Sequence, residues 1–494
     1  MRITRRTVPV DHLLPLIRSW IEGRKRGRLG LITSIDGREL IALVLDPASG
    51  LAEIWASAVD QDVYRSFTSV LPQAHWFERA IHDLFGLYPD GHPRLKHLLL
   101  HEPYDPACFP LRSPHLQVPD RVDDRTYRFL EVKGEGIYEL AVGPIHAGVI
   151  EPGHFRFSCL GETIMNLEIK LGYVHRGVEK RLTEVPWPKA RFVAEAAASD
   201  TAAANALAHA IAIESLLGIQ PSPFAQAMRT LALEIERLAM HIIDVGGMGT
   251  DVGFLGVSSS MGRLRGQALG MGQMLSGSRF LRGFIRPGGT NPVPAGRLGR
   301  MKEAASQLRK DLQPVISIFE RHPIARGRFE GVGKISKSLA AEFGLVGVAA
   351  RASGIEYDAR SSFPHGLYPA YAPPIAVEQG GDILSRTRVR IREIWTSLDV
   401  IERVLSDIPS GEPLVELPDS LPGGAASAAV VEAFRGELIH LILTDEAGAI
   451  RRYAIKDPSF NNWTGISIAI RNNLIADFPL CNKSLSLSYS GNDL

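Results

Sequence analysis

In "AMRTLALEIERLAMHIIDVGG" the apolar residues Met228, Leu231, Ile235, Leu238 and Ile242 recur three and four apart, the buried face of a helix. Glu234, Arg237, His241 and Asp244 keep the same period one position back, so they form a polar stripe along its edge. If that stripe meets solvent, it is a row of exposed pairs of little energetic weight. If it turns into a bundle, it is a buried charge chain suited to proton or conformational coupling. "GGDILSRTRVRIREIWTSLDVIERVLSDI" repeats the pattern through Ile391, Ile394, Leu398, Ile401 and Leu405, with Asp382 as N-cap after two glycines. Two such helices predict a bundle core.

Nearer the N-terminus the pattern changes. An amphipathic helix near Leu13 to Ile21 precedes "GRLGLITSIDGRELIALVLDPASGLAEIWASAV", short β-rich runs parted by Asp-Gly and Pro-Ala-Ser-Gly turns. A further helix in "AHWFERAIHDLFGLY" breaks at Gly86. The stretch 113–127 is polar, proline-bearing and unpatterned, which predicts a linker. The fold class is therefore α+β. A small α+β domain covers 1–112, a linker 113–127, and a mainly helical domain 128–494 with a bundle core and small β elements. One of these is a hairpin turning at Asp445 to Gly448.

Composition narrows the partners. Fifty-five basic and 54 acidic side chains leave a net charge of +1, so no basic surplus points to nucleic acid. No run of about 18 apolar residues predicts a membrane span, and the first residues lack the apolar core of a secretory signal. The cytoplasm is the expected compartment. Cys108, Cys159 and Cys481 are far apart and form no C-x-x-C pair, which argues against a disulfide framework, a zinc site or an iron–sulfur cluster on this chain. His82, His92, His97 and His101 have no standard ligand spacing. "GRFEGVGKISKS" departs from a phosphate loop at Arg328 and Ile335. No G-x-G-x-x-G follows a strand, so NAD would act only through another subunit.

Seven strings then carry a resemblance: "GPIHAGVIEPGHFRF", "YVHRGVEK", "EIERLAMHIIDVGGMGTDVGF", "RASGIEYDAR", "GDILSRTRVRIREI", "FRGEL" and "DPSFNNW". With "FERAIHDLFGLYPDGHPRLKHLLL" ahead of them, the chain resembles the C and D components of NADH–quinone oxidoreductase (respiratory complex I), fused into one. It also resembles the large subunit of membrane-bound nickel–iron hydrogenases, of the formate hydrogenlyase and hydrogenase-4 type. The resemblance implies a domain like the C component of complex I followed by one like its D component and the hydrogenase large subunit. It implies as partners an iron–sulfur small subunit of the complex I B type, carrying a [4Fe–4S] cluster, a ferredoxin-like subunit and antiporter-like membrane subunits. It places the chain peripherally on the inner face of the cell membrane.

One departure matters most. Where the hydrogenases carry Arg-x-Cys-x-x-Cys-x-x-x-His, this chain has Ala198 and Thr201 at the cysteine positions and Asn205 at the histidine. Toward the C-terminus, "ADFPLCNKSLSLSYSGNDL" offers one cysteine, Cys481, where the family has a pair. Nickel and iron are held in such a site by four thiolates, so no metal is expected here. The quinone-bonding tyrosine of complex I falls at Ser199, which reaches less far than a phenol; quinone is a cofactor the reading leaves open.

The resemblance also nominates residues. Glu151 matches a proton-carrying glutamate, with His154 extending or orienting the relay; otherwise they are a capping loop carboxyl and a packed histidine. His175 and Arg176 match positions beside the partner's cluster, whose potential the Arg176 charge would raise; otherwise Arg176 pairs with Glu179. Asp251 matches an aspartate that couples to the membrane arm. Arg435 matches the arginine that overhangs the metals, and Phe434 before it, in place of the usual proline, fills space.

Overall fold

The computed structural model describes residues 3–122, 124–147 and 150–494. The N-terminal meander forms as its turns dictate. Strands Arg28–Ile35, Glu39–Asp46 and Leu51–Ala58 pair antiparallel in succession, and the short strand Arg5–Thr7 adds in parallel to the third. Helix Val10–Glu22 buries Leu13, Leu14, Ile17 and Trp20, the three-and-four spacing of its apolar face. Helix His75–Phe85 stops at Gly86, whose φ of 72° is the left-handed cap that a side chain disfavours.

The larger part is built on helices. Pro223–Asp251 runs the length of the bundle and packs on Leu255–Ser276 and Ile383–Ser406; Arg297–Arg321 closes the group. Asp382 caps the third of these, accepting from the Ser385 amide at 2.8 Å. The polar stripe turns inward: Glu234, Arg237 and His241 are fully buried. Beside the bundle lies a three-stranded antiparallel sheet, Ala426–Ala433, Gly436–Thr444 and Ile450–Lys456, against which the alanine-rich helix Ala202–Leu217 packs. Alanine suits that place, since its small side chain lets helix and sheet approach closely.

The segment between the two parts is more than a tether. Among its described residues it has no helix or strand, as its sequence suggests, but Arg125 is buried and donates to the Cys108 carbonyl at 2.7 Å. Tyr127 donates to Glu168 at 2.9 Å. The N-terminal sheet is also fastened to the C-terminal one: Arg28 meets Glu437 at 3.1 Å, and Arg452 donates to Thr33 at 2.7 Å.

Candidate functional site

Residues 486–494 are tied to Glu151, to Arg176 and to the backbone at Gly172 and Val174. Arg435, at the turn between the first two strands of the C-terminal sheet, forks onto Asp200 at 2.8 and 2.6 Å and reaches Thr201 Oγ1 at 3.2 Å. Its Nε–H donates to the Ser486 carbonyl. Burial raises the Asp200 carboxyl, but the charge and hydrogen bonds of Arg435 outweigh it and leave Asp200 below the ordinary range. Burial also weighs against the Arg435 cation, and Asp200 more than offsets that.

Arg176 joins the same two segments from the other side. It donates to the carbonyls of Ala196, Ala197 and Ser490 at 3.0, 2.7 and 3.0 Å. It does not pair with Glu179, which is taken by Arg452 at 2.7 Å. Glu151 accepts from the Ser490 amide at 3.1 Å, and its charge acts on Arg176. His175 lies against the final residues, and burial lowers its pKa despite its hydrogen bond to the backbone at Leu494. Four of the six nominated residues, Glu151, His175, Arg176 and Arg435, thus gather on one C-terminal segment.

The other two stand apart. His154 opens the strand His154–Leu160, hydrogen-bonds the Gly143 carbonyl at 3.2 Å and packs its ring near Phe129. Asp251 ends the long bundle helix and pairs with Lys483 at 2.6 Å. Cys481 is buried on helix Phe478–Leu485 with its sulfur 3.9 Å from Arg386.

Sequence reasoning missed several carboxyls that complete the site. Asp200 stands between Ala198 and Thr201, with no pattern of its own to mark it. Asp493 accepts from the Gly172 and Val174 amides at 2.7 and 3.3 Å, and burial pushes it up to about 6. Glu236 reaches across from the long helix to accept from the Ala203 and Ala204 amides at 2.7 and 3.0 Å; burial pushes it up to about 8. It caps the alanine helix, whose first turn has no capping side chain of its own.

From Arg435 a row of buried charges leads into the bundle. Ser486 donates to Asp244 at 2.9 Å, Asp244 pairs with Arg390 at 2.6 Å, and Arg390 meets His241 Nδ1 at 3.3 Å. His241 Nε2 is 3.0 Å from Glu393, which also holds Arg237 and Arg351. Arg351 reaches Glu432 at 2.6 Å, and Arg360 joins Asp358 and Glu234 at 2.7 and 3.0 Å. Burial lowers His241 to about 4, while Arg351 and Arg237 overcome the burial of Glu393 and hold it well below the carboxylate range. At neutral pH the histidine is uncharged and the glutamate ionised.

Residues 7–117 match the model of the 30 kDa subunit of respiratory-chain NADH dehydrogenase, and residues 251–423 that of its 49 kDa subunit. Formate hydrogenlyase subunit 5 of Escherichia coli is 30% identical to this chain, over 99% of it and 88% of the relative. This chain belongs to the family of fused complex I 30 kDa–49 kDa subunits and their hydrogenase relatives. Hydrogenase-4 component G of Escherichia coli is 28% identical over 99% of the chain and 87% of its own length. The fused C/D subunit of NADH-quinone oxidoreductase from Phocaeicola vulgatus is 28% identical over 75% of each. Within this family frame, the gathered site residues at 151–201 and 435–494 lie outside both matched stretches. Among the described residues no helix is long and apolar enough to cross a membrane.

Proposed function

We propose that this chain is the hydrogenase-like large subunit of a membrane-associated, complex I-related oxidoreductase, and that its site handles protons without a nickel–iron centre. The observation that carries the reading is the ion pair of Arg435 and Asp200 at the position of the family's thiolates. Ala198 has no donor atom, Thr201 Oγ1 accepts from Arg435, and Asn205 donates to the Thr201 carbonyl at 2.9 Å. Such a hard, already committed set does not fit nickel or iron, which soft thiolates select.

Proton handling is supported by the buried charge row and by Glu151, which accepts from Ser490 on the same C-terminal segment. A carboxyl there can take a proton at its free oxygen and return it, while Arg176 and the Ser490 amide fix its position. A partner surface is supported next door: Leu130, Tyr138, Leu140, Ile150, Leu160 and Met165 are exposed apolar residues on and around the sheet flanking Glu151. A cluster-bearing small subunit of the complex I B type is the partner this reading assigns to it, with ferredoxin-like and antiporter-like subunits beyond. The complex would sit peripherally on the inner face of the membrane. NAD would act through another subunit. Quinone reduction has weaker support, since Ser199 is exposed on its loop.

Glu151→Gln tests the proposal, because it keeps shape and hydrogen-bonding size while removing the titration. With assembly unchanged, electron-transfer turnover or proton translocation by the purified complex should fall at least tenfold and up to the factor of about 10²–10⁴ that general acid–base groups contribute. Unchanged function in an assembled complex carrying Glu151→Gln would leave a structural adaptor as the better account.

A further inference from the structure

A second row of polar side chains reaches the same loop, and none of them is charged at rest. Thr201, Asn205 and His209 are four residues apart, so they share the face of the alanine helix turned to the C-terminal sheet. From that sheet come His440 and Tyr453. The Asn205 amide N–H donates to the Thr201 carbonyl at 2.9 Å, which fixes its orientation and leaves Oδ1 toward His440 Nε2, 3.0 Å away. His440 Nδ1 is 2.8 Å from the Tyr453 hydroxyl, and the same hydroxyl is 2.9 Å from His209 Nδ1. His209, Tyr453 and His440 have no exposed surface, and Asn205 has 1%.

The proton positions follow from donor and acceptor chemistry. An amide oxygen only accepts, so His440 carries its proton on Nε2 and presents a lone pair at Nδ1. Tyr453 therefore donates to His440. The phenol oxygen then accepts from His209, whose proton sits on Nδ1. That leaves His209 Nε2 as a buried acceptor with no partner among the described residues. Arg191 Nη1, whose cation acts on this ring, is a buried donor likewise without one. The row thus ends in a satisfied carbonyl at Thr201 and in an unpaired acceptor at His209. Every bond along it points the same way.

We propose that His209, Tyr453 and His440 form a proton relay that carries one positive charge from the unpaired His209 end to the underside of the Thr201 loop. It deepens the proton-handling reading above and rests on it. A proton that reaches the unpaired His209 Nε2 bonds there, and the Nδ1–H bond of His209 breaks as its proton passes to the Tyr453 oxygen. The original phenolic proton of Tyr453 passes to His440 Nδ1. No electron moves, and Asn205 changes no bond. His440 ends as an imidazolium beside Asn205, at the base of the loop that carries Asp200. Burial keeps the resting imidazoles neutral, His209 down at about 3 with Arg191 adding to the effect, so the charged form is transient. A brace that only held helix to sheet would need no consistent proton order and no vacant acceptor at one end.

Two measurements test this. Nitrogen-15 NMR of the full-length chain with labelled imidazoles should show His209 protonated on Nδ1 and His440 on Nε2. Tyr453→Phe removes the acceptor and should switch His209 alone to the Nε2 form. His209 already in that form in the natural chain, or unmoved by Tyr453→Phe, overturns the wire. In the assembled complex, Tyr453→Phe should lower turnover at least tenfold. Replacing Tyr453 by 3,5-difluorotyrosine, a more acidic phenol of nearly the same shape that keeps the hydroxyl, should shift the pH profile of turnover. If Tyr453→Phe does not assemble, the fluorinated chain decides, because a brace predicts no shift in the profile. An unshifted profile overturns the relay. Failure of the Glu151 reading is separable: Glu151→Gln is then silent while the Tyr453 variants still act.

Discussion

Arg435 is held by oxygens of three residues on two segments: the Asp200 carboxylate, the Thr201 hydroxyl and the Ser486 carbonyl. A guanidinium suits that geometry because its donors lie in a rigid fork. Asp200→Asn keeps the volume but gives up the charge and one of the two accepting oxygens. It should destabilise the chain by about 1.5–3 kcal/mol, the usual worth of a hydrogen bond to a charged group, read as a lower urea midpoint at unchanged slope. Arg435→Ala should cost no more when made on top of Asp200→Asn than the pair's shared bonds leave over, which a double-mutant cycle measures. At this scale the sequence was legible through resemblance. The strings around Glu151, Arg176 and Arg435 nominated side chains that do converge. Asp200, Glu236 and Asp493 were not nominated, because a lone carboxyl has no periodicity and its partners lie up to 321 residues away.

The long helix Pro223–Asp251 and its neighbour Ile383–Ser406 bury their charges between them, and this makes both helices sensitive to single changes. Glu393 neutralises Arg237 and Arg351 at once. Glu393→Gln strands two buried cations and should cost about 3–5 kcal/mol, the loss expected when one partner of a buried pair is removed, again by urea unfolding. Glu236 behaves differently. Its folded pKa is raised from 4.5 to about 8 by burial, so its favourable contribution is complete below pH 4.5 and is lost as pH rises through 8. The stability of Glu236→Gln relative to the natural chain should therefore improve as pH is raised from 4.5 to 8, by a few kcal/mol. A difference that stays constant with pH would show that Glu236 is ionised throughout. Apolar spacing made both long helices readable. It could not say which way the polar stripe faced, since an edge position is compatible with solvent or with a second helix.

Across the whole molecule, the two parts share more than a connection, because Arg28, Arg452 and the buried C-terminal end of the 113–127 segment tie them together. Polarity and proline in that segment suggested free chain; the burial of Arg125 and Tyr127 depends on carbonyls and a carboxylate elsewhere, which no local pattern records. Trypsin should accordingly cut after the exposed Arg121 and spare the buried Arg125, as mass spectrometry of the first fragments will show. The central proposal is that a hydrogenase-like large subunit works here with the Arg435–Asp200 ion pair and without a nickel–iron centre. Elemental analysis of the purified, assembled complex tests it most directly. The account predicts iron in proportion to the partner's clusters and no stoichiometric nickel; about one nickel per chain, with hydrogen uptake, would contradict it.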